Sequence, residues 1–433
     1  MVVDETLAYS NDIENHLGYD ENTHPIICQI GGNSPEFTFK ASRAVQDYGY
    51  DEINFNMDCP SSRVSVKREF GAVLMKKIDT AVAVMNAMHD SAKSIPISVK
   101  CRIGIDDFDD LDHVASVIRR LKPVCQRFYL HARKCILGGI LSPAQNRIVP
   151  PLNYPRVYQL CDMFQDCEFW INGGIPGLEA AKLISYGGAE ACEANMDNDH
   201  DTHRHHTVPC ALCKASNGSC TAPRTIAPPN LRGCMLGRAA IDNPSMFWDV
   251  DRYFYDQPCN PCKNRRQALE QYCLYLERIY PRRCCDVDDG ITLKIEAAQV
   301  VHDEAFCDEC REMYGGEDVT RDAPEAVGEC RKVERNKTKI SSRVIDRSLK
   351  PVLGIFFGLP KSKLFRRVCD ELGRDLRIRN CGPGFILRMA LEAMPAEILD
   401  QDFVMTEYLL DRDVIAHVAP WNGGSQCCST SAP

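Results

Sequence analysis

From Pro25 onward, short apolar runs recur along the chain and alternate with longer segments whose apolar residues are spaced by three and four. The short runs, PIICQIGG, EINFNMDCP, PISVKCRIG, RFYLHARK, EFWINGGI and LRGCMLGRA, have the length and composition of strands. Between them, segments such as FKASRAVQDYG and AVLMKKIDTAVAVMNAMHDSAK read as amphipathic helices. Repeated βα units imply a parallel sheet, which a barrel or a doubly wound sheet would satisfy equally. The polar residues favour the barrel. Gln29, Asn56 with Cys59, Lys100, His131, Asn172 and Arg238 stand at or just beyond the downstream ends of their strands, the face on which barrel enzymes gather catalytic groups.

Two stretches break the rhythm. One, about 189–230, contains HDTHRHHTVPCALCKASNGSC and a Pro-rich run, and separates a helix from the strand that should follow it. The other spans about 303–339. After Pro258 the alternation stops and helical patterns take over, including RRQALEQYCLYLERIY and SSRVIDRSLKPVLGIFFGLPKSKLFRRVCDEL. The chain thus reads as an α/β barrel domain over 1–257 with an insertion at about 189–230, and a helical domain over 258–411 with an insertion at about 303–339. A tail over 412–433, ending NGGSQCCSTSAP, is expected to be disordered.

With 433 residues and 44% hydrophobic content, the chain can bury a barrel-sized core and a smaller one. No apolar run approaches the roughly 18 to 20 residues of a membrane span. The opening, MVVDETLAYSNDIENHLGYDENTHP, carries neither a signal-peptide pattern nor an Arg-rich transit pattern. A chain this long with 24 cysteines and no such signal is expected in a reducing compartment, the cytoplasm, rather than as a disulfide scaffold. A net charge of −9 weighs against nucleic-acid binding as a whole, but basic clusters occur late, at RKVERNKTK, at Lys361, Lys363, Arg366 and Arg367, and at Arg374, Arg377 and Arg379.

The strongest chemical signal is YDEINFNMDCPSSRV, in which a strand delivers Asn56 and then turns through Asp58, Cys59 and Pro60. A cysteine in such a turn can be a nucleophile or a proton donor, or simply a small buried hydrophobe. VKCRIG puts Lys100 and Arg102 on one side of a strand, and LHARK does the same with His131 and Arg133. Cations facing a barrel mouth suit an anionic ligand, although a Lys paired with an acid or a structural histidine would leave the same pattern. INGGI and LGRAA are Gly-containing strand-to-helix turns, and as the last two strands of a barrel they would occupy its usual phosphate site. His203, His205 and His206 lie near the Cys210–Cys213 CxxC, and Cys307 with Cys310 makes another. No spacing closes a set of four ligands, so no metal is expected.

Taken in order, CQIGGNSPE, GYDEINFNMDCPSSRV, FGAVLM, IPISVKCRIGID, LHARK, LSPAQNRIVPPLNYPRVYQL, INGGI and LGRAAIDNP resemble the tRNA-dihydrouridine synthases, above all the A-type branch that reduces uridines 20 and 20a. LGIFFGLPKSKLFRR resembles the helical tRNA-holding domain of that family. The resemblance implies a TIM (β/α)8-type barrel, here lacking its first two strands, followed by a small α-helical domain. It implies FMN as cofactor and NADPH as reductant, with hydride passing to C6 of a flipped uracil and a proton from Cys59 to C5. Gln29, Lys100 and His131 would contact the isoalloxazine or its substituents, and Asn172, Gly173, Gly174, Gly237 and Arg238 the ribityl phosphate. Asn56 would orient the base, while Arg133, Arg147, Arg347, Arg366 and Arg367 would contact tRNA. A monomer without a stable protein partner or a membrane is expected. Two other readings stand beside this one: an FMN barrel acting on a free pyrimidine, and a flavin-free remnant that only binds tRNA.

Overall fold

A computed structural model of the chain describes residues 1–20, 23–137, 141–186, 227–255, 257–280 and 340–403. Contacts divide it into two compact units at Gly237/Arg238, earlier in the chain than the point where the βα alternation stops.

The first unit is built on one parallel sheet of TIM-barrel type, with strands β1 (Val2–Val3), β2 (Ile27–Gly31), β3 (Glu52–Met57), β4 (Ile97–Arg102), β5 (Arg127–His131), β6 (Glu168–Asn172) and β7 (Leu231–Met235) in sequence order across it. The six strands expected from the sequence are all present. A seventh precedes them: Val2 and Val3 pair with Ile30 and Gly31, a strand too short to show any period. Helices Pro35–Asp47, Ile78–Ser91, Leu111–Leu121, Tyr154–Met163 and Leu178–Tyr186 alternate with the strands. Ser34, Asp110 and Asn153 each start the following helix by accepting a backbone N–H.

Alternation along the strands sorts the side chains. Ile53, Phe55, Val99, Phe128, Leu130, Phe169 and Ile171 are fully buried and form the apolar face. The opposite face is polar and bonded to itself. Gln29 Nε2 donates to Asn54 Oδ1 at 2.7 Å, Asn54 Nδ2 to Ser98 Oγ at 2.8 Å, and Ser98 in turn to Glu52. Arg127 then joins Glu52 to Glu168, at 3.0 and 3.1 Å. Buried polar groups need partners, and here neighbouring strands supply them, which also fixes strand register. Tyr129 and Trp170, direct neighbours across β5 and β6, stack at 4.8 Å.

Of the stretch read as the first insertion, the last residues lead directly into β7 and are bonded to its neighbours. Asn230 donates through Nδ2 to the carbonyls of Cys161, Phe164 and Cys167, each at 3.0 Å, and its own carbonyl accepts from Phe169 N–H. The His/Cys cluster, Cys307 with Cys310, most of the first insertion, all of the second and the tail lie outside the described residues.

In the second unit, helices Arg265–Ile279, Ser342–Leu349, Ser362–Arg374 and Pro383–Glu392 share a core of Leu269, Cys273, Leu276, Ile345, Phe356, Phe365, Ile386 and Leu387. Arg388 forms a two-pronged ion pair with Glu277, at 2.6 and 2.8 Å. Among the described residues no helix is long and apolar enough to cross a membrane, and every described cysteine except Cys259 is a free thiol.

Candidate active site

Strand β3 ends at Met57, and the chain continues through Asp58, Cys59 and Pro60 in a turn built on the Asn56 side chain. Its Oδ1 accepts the backbone N–H of Asp58 at 3.3 Å and of Cys59 at 3.2 Å, while its Nδ2 donates to Gln29 Oε1 at 2.9 Å. Gly71 closes the turn from the other side: at φ +77° it lies so near that a Cβ would sit 2.8 Å from the Cys59 carbonyl oxygen, and Ala72 N–H donates to that oxygen at 3.1 Å. Gln29, Asn56 and Cys59 thus form one hydrogen-bonded group.

The centre of charge is Asp58. Lys100 Nζ and Arg102 Nε each donate to its carboxylate at 2.6 Å, and His131 Nδ1 lies 3.4 Å from it. Burial alone would raise this carboxyl; the Lys100 and Arg102 charges and the His131 contact reverse that and hold it well below the ordinary carboxylate range. His131 behaves oppositely. Burial pushes its imidazole down to about 4 despite the neighbouring carboxylate, so the ring is neutral at physiological pH. Burial also raises the Cys59 thiol; a backbone hydrogen bond from Ser61 opposes it, Asp58 adds to it, and Arg102 and Lys100 oppose it. A protonated, partly buried thiol beside a charged cluster suits a proton donor rather than a standing thiolate nucleophile.

At the adjoining strand end, Asn172 Nδ2 donates to the Met235 carbonyl at 2.7 Å and Tyr154 hydroxyl to the Gly173 carbonyl at 2.5 Å. Gly173 and Gly174 have φ of +114° and +70°, a backbone form that glycine adopts without strain. Gly173 packs against the His131 ring. Gly237 is different: no heavy atom would come within 4 Å of a Cβ there. Arg238 follows it and opens the second unit in a short helix, Arg238–Asp242.

The long connection after β5 is pinned by Asn146, which is fully buried and bonded to both backbone groups of Ile136, with Nδ2 donating to Ile136 O at 2.9 Å and Oδ1 accepting from its N–H at 2.8 Å. Arg102 also donates to the Asn146 carbonyl at 3.0 Å, joining this loop to the charge cluster. Arg133 Nη1 donates to the Ile148 and Pro150 carbonyls, whereas Arg147 at the loop tip is exposed. In the second unit Arg347, Arg366 and Arg367 are exposed on helix surfaces; Arg366 Nε donates to the Leu353 carbonyl at 2.9 Å, and Arg367 lies 3.8 Å from Glu371.

The sequence reading overlooked Asp58 as hub and Asn146 as staple. Asp58 could have been suspected from the parity that turns Lys100, Arg102 and His131 to one side, since three such groups buried together need an anion. Asn146 left no comparable mark.

Comparison with known proteins identifies the family. The family model described as "Dihydrouridine synthase (Dus)" matches residues 1–193. The chain is 35% identical over 264 residues to a tRNA-dihydrouridine(20/20a) synthase of Vibrio cholerae, covering 60% of this chain and 66% of that protein. A protein of the same description from Vibrio parahaemolyticus is 33% identical over 288 residues, covering 64% of this chain and 74% of the relative. One from Escherichia coli K12 is 45% identical over 242 residues, covering 55% of this chain and 57% of the relative. The chain belongs to the dihydrouridine synthase family, in its A-type branch.

Proposed function

We propose that this chain reduces uridine to 5,6-dihydrouridine in the D loop of tRNA, at positions 20 and 20a, with FMN as cofactor and NADPH as reductant. The observation that carries the reading is the seat of Cys59. Its thiol, kept protonated by burial, stands in a fixed turn next to a strand-end cluster of amide, ammonium and imidazole groups.

The strand ends suit FMN. Gln29, Lys100 and His131 offer polar contacts for the ring system, and the left-handed Gly173–Gly174 turn, with the open space at Gly237, suits a phosphate. Asn172 would complete that phosphate site. Bound FMN, once reduced by NADPH, would supply hydride to C6 of the pyrimidine. The chain's own part is the other half of the addition. Cys59 Sγ–H gives its proton to C5 as the C5=C6 double bond is lost, and the sulfur regains a proton from solvent. The uracil must leave its stack to reach the thiol, and Asn56 next to the turn orients it. Arg133, Arg147, Arg347, Arg366 and Arg367 are assigned to tRNA contact, the first by shaping the loop that carries Arg147. We place this activity in the cytoplasm and in a monomer.

The test is the visible absorption of the purified chain with added FMN, then NADPH, then uridine-containing tRNA. A bound flavin band that NADPH bleaches and tRNA restores, with dihydrouridine formed, is the expected result. A protein that takes up no FMN yet binds tRNA would overturn it in favour of an RNA-holding remnant. Turnover of free uracil but not tRNA would favour a small-molecule dehydrogenase.

A further inference from the structure

The turn that carries Cys59 also carries an acid for which the reaction above has no use. Asp58 accepts Lys100 Nζ and Arg102 Nε at 2.6 Å each. Asn56 holds the backbone N–H groups of both Asp58 and Cys59, so the two residues are fixed side by side, within reach of one another's charge and of Arg102 and Lys100. Arg102 cannot move away: its side chain is 1% exposed, and it also donates to the Lys134 and Asn146 carbonyls. Strand β4 therefore brings two cations to the site and the β3 turn brings one anion. Deleting that anion would leave the thiol beside two uncompensated positive charges, which favour the thiolate. A thiolate has no proton to give.

We propose that Asp58 is a positioning residue for Cys59, whose carboxylate neutralises Lys100 and Arg102 beside the sulfur and so keeps it a proton donor. The inference rests on the reading of Cys59 as an acid. The surrounding elements contain few other charges. His131 on β5 is neutral and completes the ring of groups around Asp58, and Cys135 beyond β5 is a buried thiol raised to about 12. The turn Gly71–Met75, packed on Cys59, has no titratable side chain, and Arg63 in Ser62–Ser65 points to solvent.

The test uses the full chain without flavin or tRNA. Alkylation of Cys59 by iodoacetamide is followed by peptide mass spectrometry over a neutral-to-alkaline pH series, with circular dichroism confirming the fold. Asp58→Asn keeps an oxygen for Arg102 and deletes the charge; its alkylation midpoint is expected to fall by about one pH unit, roughly tenfold more thiolate at neutral pH. Lys100→Gln removes a cation and is expected to raise the midpoint. Mere loosening of the fold would draw both variants toward the ordinary thiol value near ~8.5, so the opposite directions separate the two causes. An unchanged or raised midpoint in folded Asp58→Asn protein overturns the proposal. If that variant does not fold, a Lys100→Gln midpoint that fails to rise overturns it. Either result can occur while Cys59 still protonates the base, which tRNA reduction by Cys59→Ala tests separately.

Discussion

The imidazole of His131 and the backbone of Gly173 are packed so closely that a methyl group on Gly173 would lie 2.7 Å from the ring Cδ2. The same glycine sits at φ +114°, where any side chain is strained. Gly173→Ala therefore combines backbone strain with a clash and should destabilise the first unit by about 2–4 kcal/mol. Urea unfolding measures this, and a loss below about 0.5 kcal/mol would mean that the strand end relaxes freely.

His131 gives the fold a pH dependence of definite sign. The ring titrates at about 4 in the folded chain and near ~6.5 when unfolded, so between these values the unfolded chain binds more protons. The stability due to neutral His131 is complete above pH ~6.5 and is lost as pH falls toward ~4, by about 3 kcal/mol. Asp58, held well below the usual carboxylate range, loses its own contribution only at still lower pH. Unfolding midpoints measured across this window should fall with acidification in the parent chain and much less in His131→Gln.

Loss of the Cys59 proton should slow tRNA reduction without releasing the cofactor. For Cys59→Ala, dihydrouridine formation is expected to drop by about 10²-fold or more, the usual size of a general-acid effect, with FMN affinity within a few-fold of the parent. Single-turnover reoxidation of reduced flavin by tRNA measures the step. An undiminished rate would remove Cys59 from the chemistry.

Arg347, exposed on the helix Ser342–Leu349, is the simplest probe of tRNA contact in the second unit. If it meets a phosphate, Arg347→Ala should weaken tRNA binding and reduce the slope of log affinity against log salt by about one. Filter binding at several salt concentrations decides, and an unchanged slope would take Arg347 off the interface.

What could be read in the sequence followed from periodicity. EINFNM on β3 alternates strictly, so both its apolar face and the delivery of Asn56 and Cys59 to the strand end were visible. Val2–Val3 was not, because two residues cannot show a period. Ala227–Asn230 looked like part of an insertion, since PPN carries no strand pattern, yet Asn230 anchors β7 through hydrogen bonds to residues 63 to 69 positions away. Asp58 was hidden for a related reason: its partners Lys100 and Arg102 lie 42 and 44 residues downstream, and nothing local marks the pairing. Long-range polar bonds leave no trace in a local pattern, while burial does.

The Asn230 anchor has a consequence for how this chain tolerates change. Three carbonyls hold the point where the chain enters β7, and Ser185 Oγ meets Cys234 Sγ at 3.1 Å, tying the preceding helix to the same strand. Both points are thus tied to residues of the sheet and its helices. Change is therefore least tolerated at Asn230, where loss of the amide would leave three carbonyls without their partner beside the strands that carry the site.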